Sequence, residues 1–400
     1  MTTESVPADR AVFAAKHRDG GNSASMPGKV RKKFRIFSVR GGMDLPFLFL
    51  VFVLVVIGLV MMFSASYANA SYYMNDSYYY IKKQVVFALI GIAAMIGLSY
   101  FDYHHFHKLA IPVLIFSIAL LGLVLVTPAI NGVHRWLRLG PLGQLQPSEV
   151  AKFAIILAFS HLISLNFSRM GTFRYGVLPY LLILVPVCAL LIKEPHISAT
   201  VIILALAAMV LFIGGVKLHY FVISFGIVGA GLIYLIKFSG KVEYAGSRIA
   251  GWKDPLSTYQ TKQSLYAIGS GGMLGLGLGQ SRQKYLFLPE PQNDFIFAIV
   301  CEELGFVGAL IIIILFAMLV WRGVSISLRA QDKFGMLLGT GLMLQVGLQV
   351  VLNIAVVTNT IPNTGISLPF FSYGGTSLVI LLAEMGIVLS ISRTSSVEKT

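Results

Sequence analysis

Apolar residues run along this 400-residue chain in long blocks separated by short polar segments. A block of about 20 apolar residues crosses the hydrocarbon layer as a helix, because lipid offers the backbone no hydrogen-bond partners. Ten blocks qualify, at 45–66, 84–100, 110–126, 149–165, 176–192, 197–214, 220–236, 295–321, 334–357 and 376–392. They predict an all-α integral membrane protein of about ten transmembrane helices. The chain divides accordingly into a basic leader, 1–44, a polytopic membrane domain, 45–393, and a short tail, 394–400. The longest polar connection, 237–294, joins the seventh and eighth spans. No internal repeat is strong enough to argue a transporter built from inverted halves.

Composition supports this class. Hydrophobic residues make up 56% of the chain and charged residues 12%, about half the ~25% charged share of a soluble domain. The net charge of +14 would suit nucleic acid, but nine of the 31 lysines and arginines precede Asp44. A basic block abutting the first apolar run suits anionic headgroups instead, so the membrane is the expected partner and nucleic acid is not. The leader lacks the apolar core and cleavage site of a signal peptide and is expected to stay on the protein, largely disordered. The positive-inside rule places the amino terminus in the cytoplasm, and an even span count places the carboxyl terminus there too, with 237–294 outside. The polar outer segments, 131–147, 193–196, 237–294 and 358–375, are where chemistry is expected. Cys188 and Cys301 lie in apolar runs and read as packing residues, not as a disulfide or metal site.

Charged groups at membrane depth are costly and therefore candidates for function. Glu149 and Lys152, in QPSEVAKF, share one helical face, with Ser148 the expected N-cap. They form either a packing ion pair or one wall of a substrate-facing cavity. Asp294 opens the eighth span at the membrane surface, with Glu302 and Glu303 about 12 to 14 Å deeper at the helical rise. A carboxylate at that boundary suits a general base, or it complements the helix dipole. Glu302 and Glu303 are expected to be structural. The segment GSGGMLGLGLG lacks the frame of a nucleotide-binding loop; its glycines would let the backbone approach a headgroup, with Arg248, Arg282 and Lys284 neutralising a pyrophosphate. PNTGISLPFFSYGGTS implies irregular backbone lining a wet cavity, or aromatic interface anchors. His104, His105 and His107 are expected to be solvated, and no zinc spacing is present.

FSASYA, NGVHRWLRLG, QPSEVAKF, GLGLGQSRQKYLFLPEPQNDFIFAIVCEELG and LPFFSYGGTS together resemble the SEDS family (shape, elongation, division and sporulation), which includes FtsW, RodA and SpoVE. The likeness runs from Leu45 to Arg393. FSASYA and the basic leader look closer to the FtsW and SpoVE branch than to RodA. The resemblance implies a peptidoglycan glycosyltransferase in the bacterial cytoplasmic membrane. Such an enzyme polymerises lipid II into β-1,4 glycan at the outer leaflet and releases undecaprenyl pyrophosphate. It would serve division or sporulation beside a class B penicillin-binding protein and other division or elongation proteins. It also implies that Asp294 is the essential acid, and that Trp136, Glu149 and Lys152 are site residues. Arg135 of the same RW motif joins them as a substrate-binding candidate. The family commonly has histidine and threonine where this chain has Gln292 and Asn293. A divalent cation, Mg or Mn, could assist the leaving pyrophosphate, with no ligand assigned. A lipid II flippase and a non-catalytic scaffold for cell-wall synthases are the alternatives.

Overall fold

The structure, a computed structural model, describes residues 41–128, 134–138, 140, 143–223 and 251–395. Asp44 starts the first helix, its carboxylate accepting the Phe47 N–H at 3.0 Å, while Pro46 occupies the first turn, where no intrahelical N–H is needed. The Arg322 guanidinium grips the same carboxylate with two bonds, of 3.1 and 2.8 Å, fastening the start of the first helix to a distant one. From this start α1, Leu45–Met74, runs past the expected end at residue 66. The remaining long helices are α2 (Tyr79–Tyr100), α3 (Phe106–Val124), α4 (Pro147–Asn166), α5 (Leu178–Lys193), α6 (Ile197–Ile213), α7 (Tyr259–Gly271), α8 (Ile296–Leu328), α9 (Lys333–Val357) and α10 (Gly375–Ser395). A small antiparallel hairpin, β1 (Leu137–Arg138) and β2 (Gln144–Leu145), leads into α4.

Eight of the described helical segments are long and apolar enough to cross a membrane, and α6 is a shorter apolar helix of 17 residues. They coincide with nine of the expected blocks. Of the other block, 220–236, residues 224–236 lie outside the described residues, as do 1–40 of the leader, 237–250 of the long connection and 396–400 of the tail. The protein is a multi-pass membrane protein.

Burial orders the bundle. Helices α9 and α10 bury 61% and 67% of their most apolar stretch, against 22% for α2, so the first two sit centrally and α2 faces lipid. One apolar core joins α1, α2, α8, α9 and α10 through residues such as Phe47, Met95, Phe316, Leu338 and Met385. A second joins α3 to α6 through Leu121, Phe159, Tyr180 and Ile203. Helices α4 and α9 pack on each other and hold the two cores together.

Helix α8 is broken at Gly305, whose φ of 68° and ψ of −170° suit only glycine. The glycine-rich segment after α7 lies against this break. The Leu276 and Gly277 N–H groups donate to the carbonyls of Glu302 and Glu303, and the Phe306 N–H donates to the Gly272 carbonyl, all within 3.0 Å. A Cβ on Gly305 would come within 2.2 Å of the Gly275 nitrogen. The glycines expected to approach a headgroup therefore serve backbone-to-backbone contact instead. Glu302 and Glu303 are structural, as expected: Glu302 accepts the Arg282 N–H at 3.0 Å, and Glu303 accepts the Gly279 N–H at 2.9 Å and the Ser64 hydroxyl at 2.7 Å. The long connection, read as a loop, thus contains α7 and a turn-rich stretch pinned by two buried carboxylates.

His104 is exposed, as expected, but His107 departs from expectation. His107 lies in α3, part-buried, with its Nδ1 against Nδ1 of His161 on α4 and its ring stacked 4.3 Å from Phe334. Helix pairing of α3 with α4 brings these rings together, which sequence distance conceals.

Candidate active site

The two halves of the bundle part at one end around a cavity of about 1070 Å³. Its walls come from α2, α4, α6, the hairpin, and the segments 290–294 and 364–377. Five expected site residues line it together: Arg135, Trp136, Glu149, Lys152 and Asp294.

Asp294 stands just before α8, whose N-cap is Phe295. Its main chain is held on several sides. Asn353 of α9, fully buried, donates through Nδ2 to the carbonyls of Asp294 at 2.9 Å and Ile366 at 2.7 Å. The Ser372 hydroxyl donates to the Asn293 carbonyl at 2.7 Å, and the Tyr373 N–H donates to the Gln292 carbonyl at 2.8 Å. Buried Gln84 in turn clasps 372–374, donating to the Ser372 carbonyl and accepting the Gly374 N–H, both at 3.3 Å. Gly365, at a φ of 68°, passes so near that a Cβ there would sit 3.1 Å from Oδ2 of Asp294. The acid is thereby positioned by backbone clamps from α2, α9 and the α9–α10 connection. At the unusual positions, Asn293 donates to Glu290 at 2.7 Å, and Asn69 of α1 donates to Oε1 of Gln292 at 3.4 Å.

Helix α4 begins at Pro147 with Gln146 as its N-cap, two residues before the expected N-cap at Ser148. Proline at the first helical position needs no hydrogen bond and has its φ already set. This places Glu149 and Lys152 on the face turned to the cavity, where they pair at 2.8 Å with Lys152 almost wholly buried. Behind them, buried Glu384 of α10 accepts two bonds from Gln345, at 3.2 and 3.0 Å, within electrostatic reach of Lys152. One lysine therefore stands between a half-buried carboxylate, Glu149, and a buried one, Glu384.

Arg135 reaches across to the α5–α6 connection, where Nε donates to the Glu194 carbonyl at 3.4 Å and a terminal nitrogen to that of Pro195. The Glu194 side chain is buried, and neither carboxylate oxygen has a partner among the described residues. Burial pushes its carboxyl up to about 8, with Arg135 opposing. His196, facing Gln146 at 3.4 Å, also lines the cavity.

Two other candidates are placed elsewhere. Lys284 is buried and spent: its Nζ pairs with Glu303 at 3.0 Å and donates to Ser64 at 3.0 Å and to the Gly279 carbonyl at 2.7 Å. Arg282 is exposed and lies outside the cavity lining. Their proximity in sequence to Asp294 misleads, because the fold turns 279–284 inward to cap Glu302 and Glu303. Arg248 lies outside the described residues. Sequence reasoning did not find Asn353, Gln84 and His196. Asn353 stands inside an apolar span, a signal that could have singled it out, whereas Gln84 follows Lys82 and Lys83 at the edge of its span.

Residues 45–397 match the family model described as cell cycle protein, FtsW, RodA and SpoVE. The chain belongs to this family. It is 38% identical over 358 residues to stage V sporulation protein E of Bacillus subtilis, covering 88% of this chain and 97% of that protein. A protein of Geobacter metallireducens named "Probable peptidoglycan glycosyltransferase FtsW" is also 38% identical, over 87% of this chain and 94% of its own length. Among solved structures, the family fold recurs in one chain of a peptidoglycan synthase complex described as coordinating polymerization and crosslinking. The TM-score there is 0.73, at 27% identity, over 88% of this chain and 98% of that one. It recurs too in the rod shape determining protein RodA of Thermus thermophilus, with a TM-score of 0.65 at 28% identity over 88% and 97%.

Proposed function

We propose that the chain is a peptidoglycan glycosyltransferase that polymerises lipid II, with Asp294 as its general base. The observation that carries this reading is one polar cavity, in a membrane protein of this family, that gathers Asp294, the Glu149–Lys152 pair, Arg135 and Trp136. The acceptor sugar's 4-hydroxyl oxygen attacks the anomeric carbon of the donor, Asp294 takes the hydroxyl proton, and the bond from that carbon to the pyrophosphate oxygen breaks. Inversion turns the α-linked donor into a β-1,4 glycan, and undecaprenyl pyrophosphate leaves. General-base assistance of this kind contributes about 10² to 10⁴ in rate. Arg135 and Lys152 are the cations of the cavity assigned to the leaving pyrophosphate.

A divalent cation fits one mode only. Among the described residues no three metal-ligating side chains converge. Glu149 and Glu290, which line the cavity with Asp294, suit Mg or Mn held by one or two carboxylates and by the substrate's own phosphates, where it would neutralise charge on the leaving group. The cavity end of the bundle is assigned to the outer face of the bacterial cytoplasmic membrane. A class B penicillin-binding protein is the proposed crosslinking partner, supported by the likeness to one chain of a peptidoglycan synthase complex. Division or sporulation is the role that the named relatives favour.

The test is fluorescent lipid II given to the purified pair. Asp294→Asn should cut polymerisation by at least about 100-fold with thermal unfolding unchanged. A folded variant that polymerises at the parent's rate removes Asp294 as the base. A parent pair that makes no glycan under any metal condition removes the enzymatic reading itself.

A further inference from the structure

Gly365, whose backbone lies against Oδ2 of Asp294, belongs to a stretch between α9 and α10 that has no helix or strand to fix it. Residues 358–374 must therefore find partners for their backbone among side chains and other elements. The beginning of the stretch is tied to a region outside the cavity. Trp252 donates through Nε1 to the Asn359 carbonyl at 3.2 Å, and Asn359 returns a bond from Nδ2 to the Trp252 carbonyl at 3.3 Å. Buried Ser264 of α7 donates to the carbonyl of Val357, the last residue of α9, at 2.9 Å. Asn363 adds a third tie: its Nδ2 donates to Oε1 of Gln260 on α7 at 3.1 Å, and its Oδ1 accepts the Gly365 N–H at 3.2 Å. None of residues 252–264 lines the cavity.

One side chain thus joins α7 to the residue that abuts the candidate base. Glycine has wide backbone freedom, so Gly365 does not hold its φ of 68° unaided. The bond from its N–H to Asn363 closes a local turn of the kind asparagine favours. The bond from Asn363 to Gln260 then sets where that turn sits. Thr364, between the two, is gripped from another side, its carbonyl accepting the Ser198 hydroxyl of α6. A general base must lie within hydrogen-bond reach of the proton it takes. A misplacement of about 1 Å costs on the order of 100-fold in rate even when its cause lies away from the chemistry.

We propose that Gln260 and Asn363 are positioning residues for glycosyl transfer, holding Gly365 where it keeps the Asp294 carboxylate in place to accept a proton. The proposal rests on Asp294 as the base. It gives α7 a part in the reaction although Gln260 stands outside the cavity, and it makes the Gln260–Asn363 bond the link between them.

Lipid II consumption by the purified pair, with kcat and KM measured separately, provides the test. Asn363→Ala and Gln260→Ala should each lower kcat by about tenfold or more, with KM for lipid II within about twofold of the parent's. The double variant should be no slower than either single one, because both substitutions break the same bond. Gln260→Glu keeps an oxygen for Nδ2 of Asn363 and should keep the parent's kcat. Where Asn363→Ala fails to fold, Gln260→Ala and Gln260→Glu, at a half-buried position of α7, carry the comparison. The parent's kcat in the folded alanine variants overturns the proposal, whether or not their unfolding midpoint falls, since the tie is then structural alone. Additive losses in the double variant, or a Gln260→Glu as slow as Gln260→Ala, overturn it as well. Failure of the base assignment looks different: Asp294→Asn would polymerise at the parent's rate. Failure of the positioning leaves Asp294→Asn slow and the alanine variants fast.

Discussion

Glu194 shows how one residue can carry a pH dependence that its neighbours do not advertise. Its carboxyl is buried without a hydrogen-bond partner among the described residues, and burial holds it at about 8 against the ordinary 4.5. The folded protein thus favours the neutral acid, whereas the unfolded chain ionises near the ordinary value. Between about pH 4.5 and 8 the unfolded state holds fewer protons, so this residue makes stability fall as pH rises through that window and leaves it flat outside. Glu194→Gln removes the slope. Thermal unfolding in detergent should give equal midpoints for parent and variant near pH 4 and a more stable variant above pH 8. Parallel curves across the range would show the carboxyl to be solvated. The residue is legible in sequence only as one acid in a short outer loop; the chain folding over it creates the shift.

At the scale of elements, the buried ion pairs decide which candidates belong to the site. Lys152 and Lys284 looked alike in sequence, each a cation near an acid in a family motif. Helix α4 turns Lys152 toward the cavity, whereas the turn after the glycine-rich segment turns Lys284 onto Glu303, with both groups buried. Removing one partner of a buried pair costs about 3 to 5 kcal/mol, because the other charge is left uncompensated. Lys284→Met should therefore lower the unfolding midpoint sharply, and Glu303→Gln added to it should recover much of the loss. Chemical or thermal unfolding of the single and double variants measures this. If the double variant is as stable as the parent yet shows a tenfold higher KM for lipid II, Lys284 binds substrate after all. The break at Gly305 belongs to the same scale: one residue of positive φ lets α7 and the glycine-rich segment lie against α8, and so aims Glu302 and Glu303 at the turn they cap.

Across the whole molecule, the polar groups that line the cavity collect at one end of the bundle. Helix α8 leads from Asp294 to the α8–α9 turn, so Ser367 at the cavity and Gln331 in that turn lie at opposite ends. In a background with Cys188 and Cys301 replaced, a membrane-impermeant maleimide added to intact cells should label Ser367→Cys. Gln331→Cys should react only after permeabilisation. The reverse pattern would put the cavity on the cytoplasmic side and end the outer-leaflet reading. Most of this architecture was legible beforehand, since nine expected spans coincide with helices of the structure. Lipid forces each apolar block to satisfy its own backbone, so a helix there is a local necessity. The residues brought together were not legible in the same way. Motifs marked Asp294, Glu149, Lys152, Trp136 and Arg135 one by one, and the resemblance of those motifs tied them to one chemistry. Only tertiary packing set Asn353 of α9 behind Asp294, turned Lys284 onto Glu303, and brought Tyr80 of α2 against Tyr373 nearly three hundred residues later. Spans follow from short-range hydrogen-bond and transfer energies, which a sequence carries in its composition. A site depends on which helix faces meet, and that is decided by the shapes of side chains far apart along the chain.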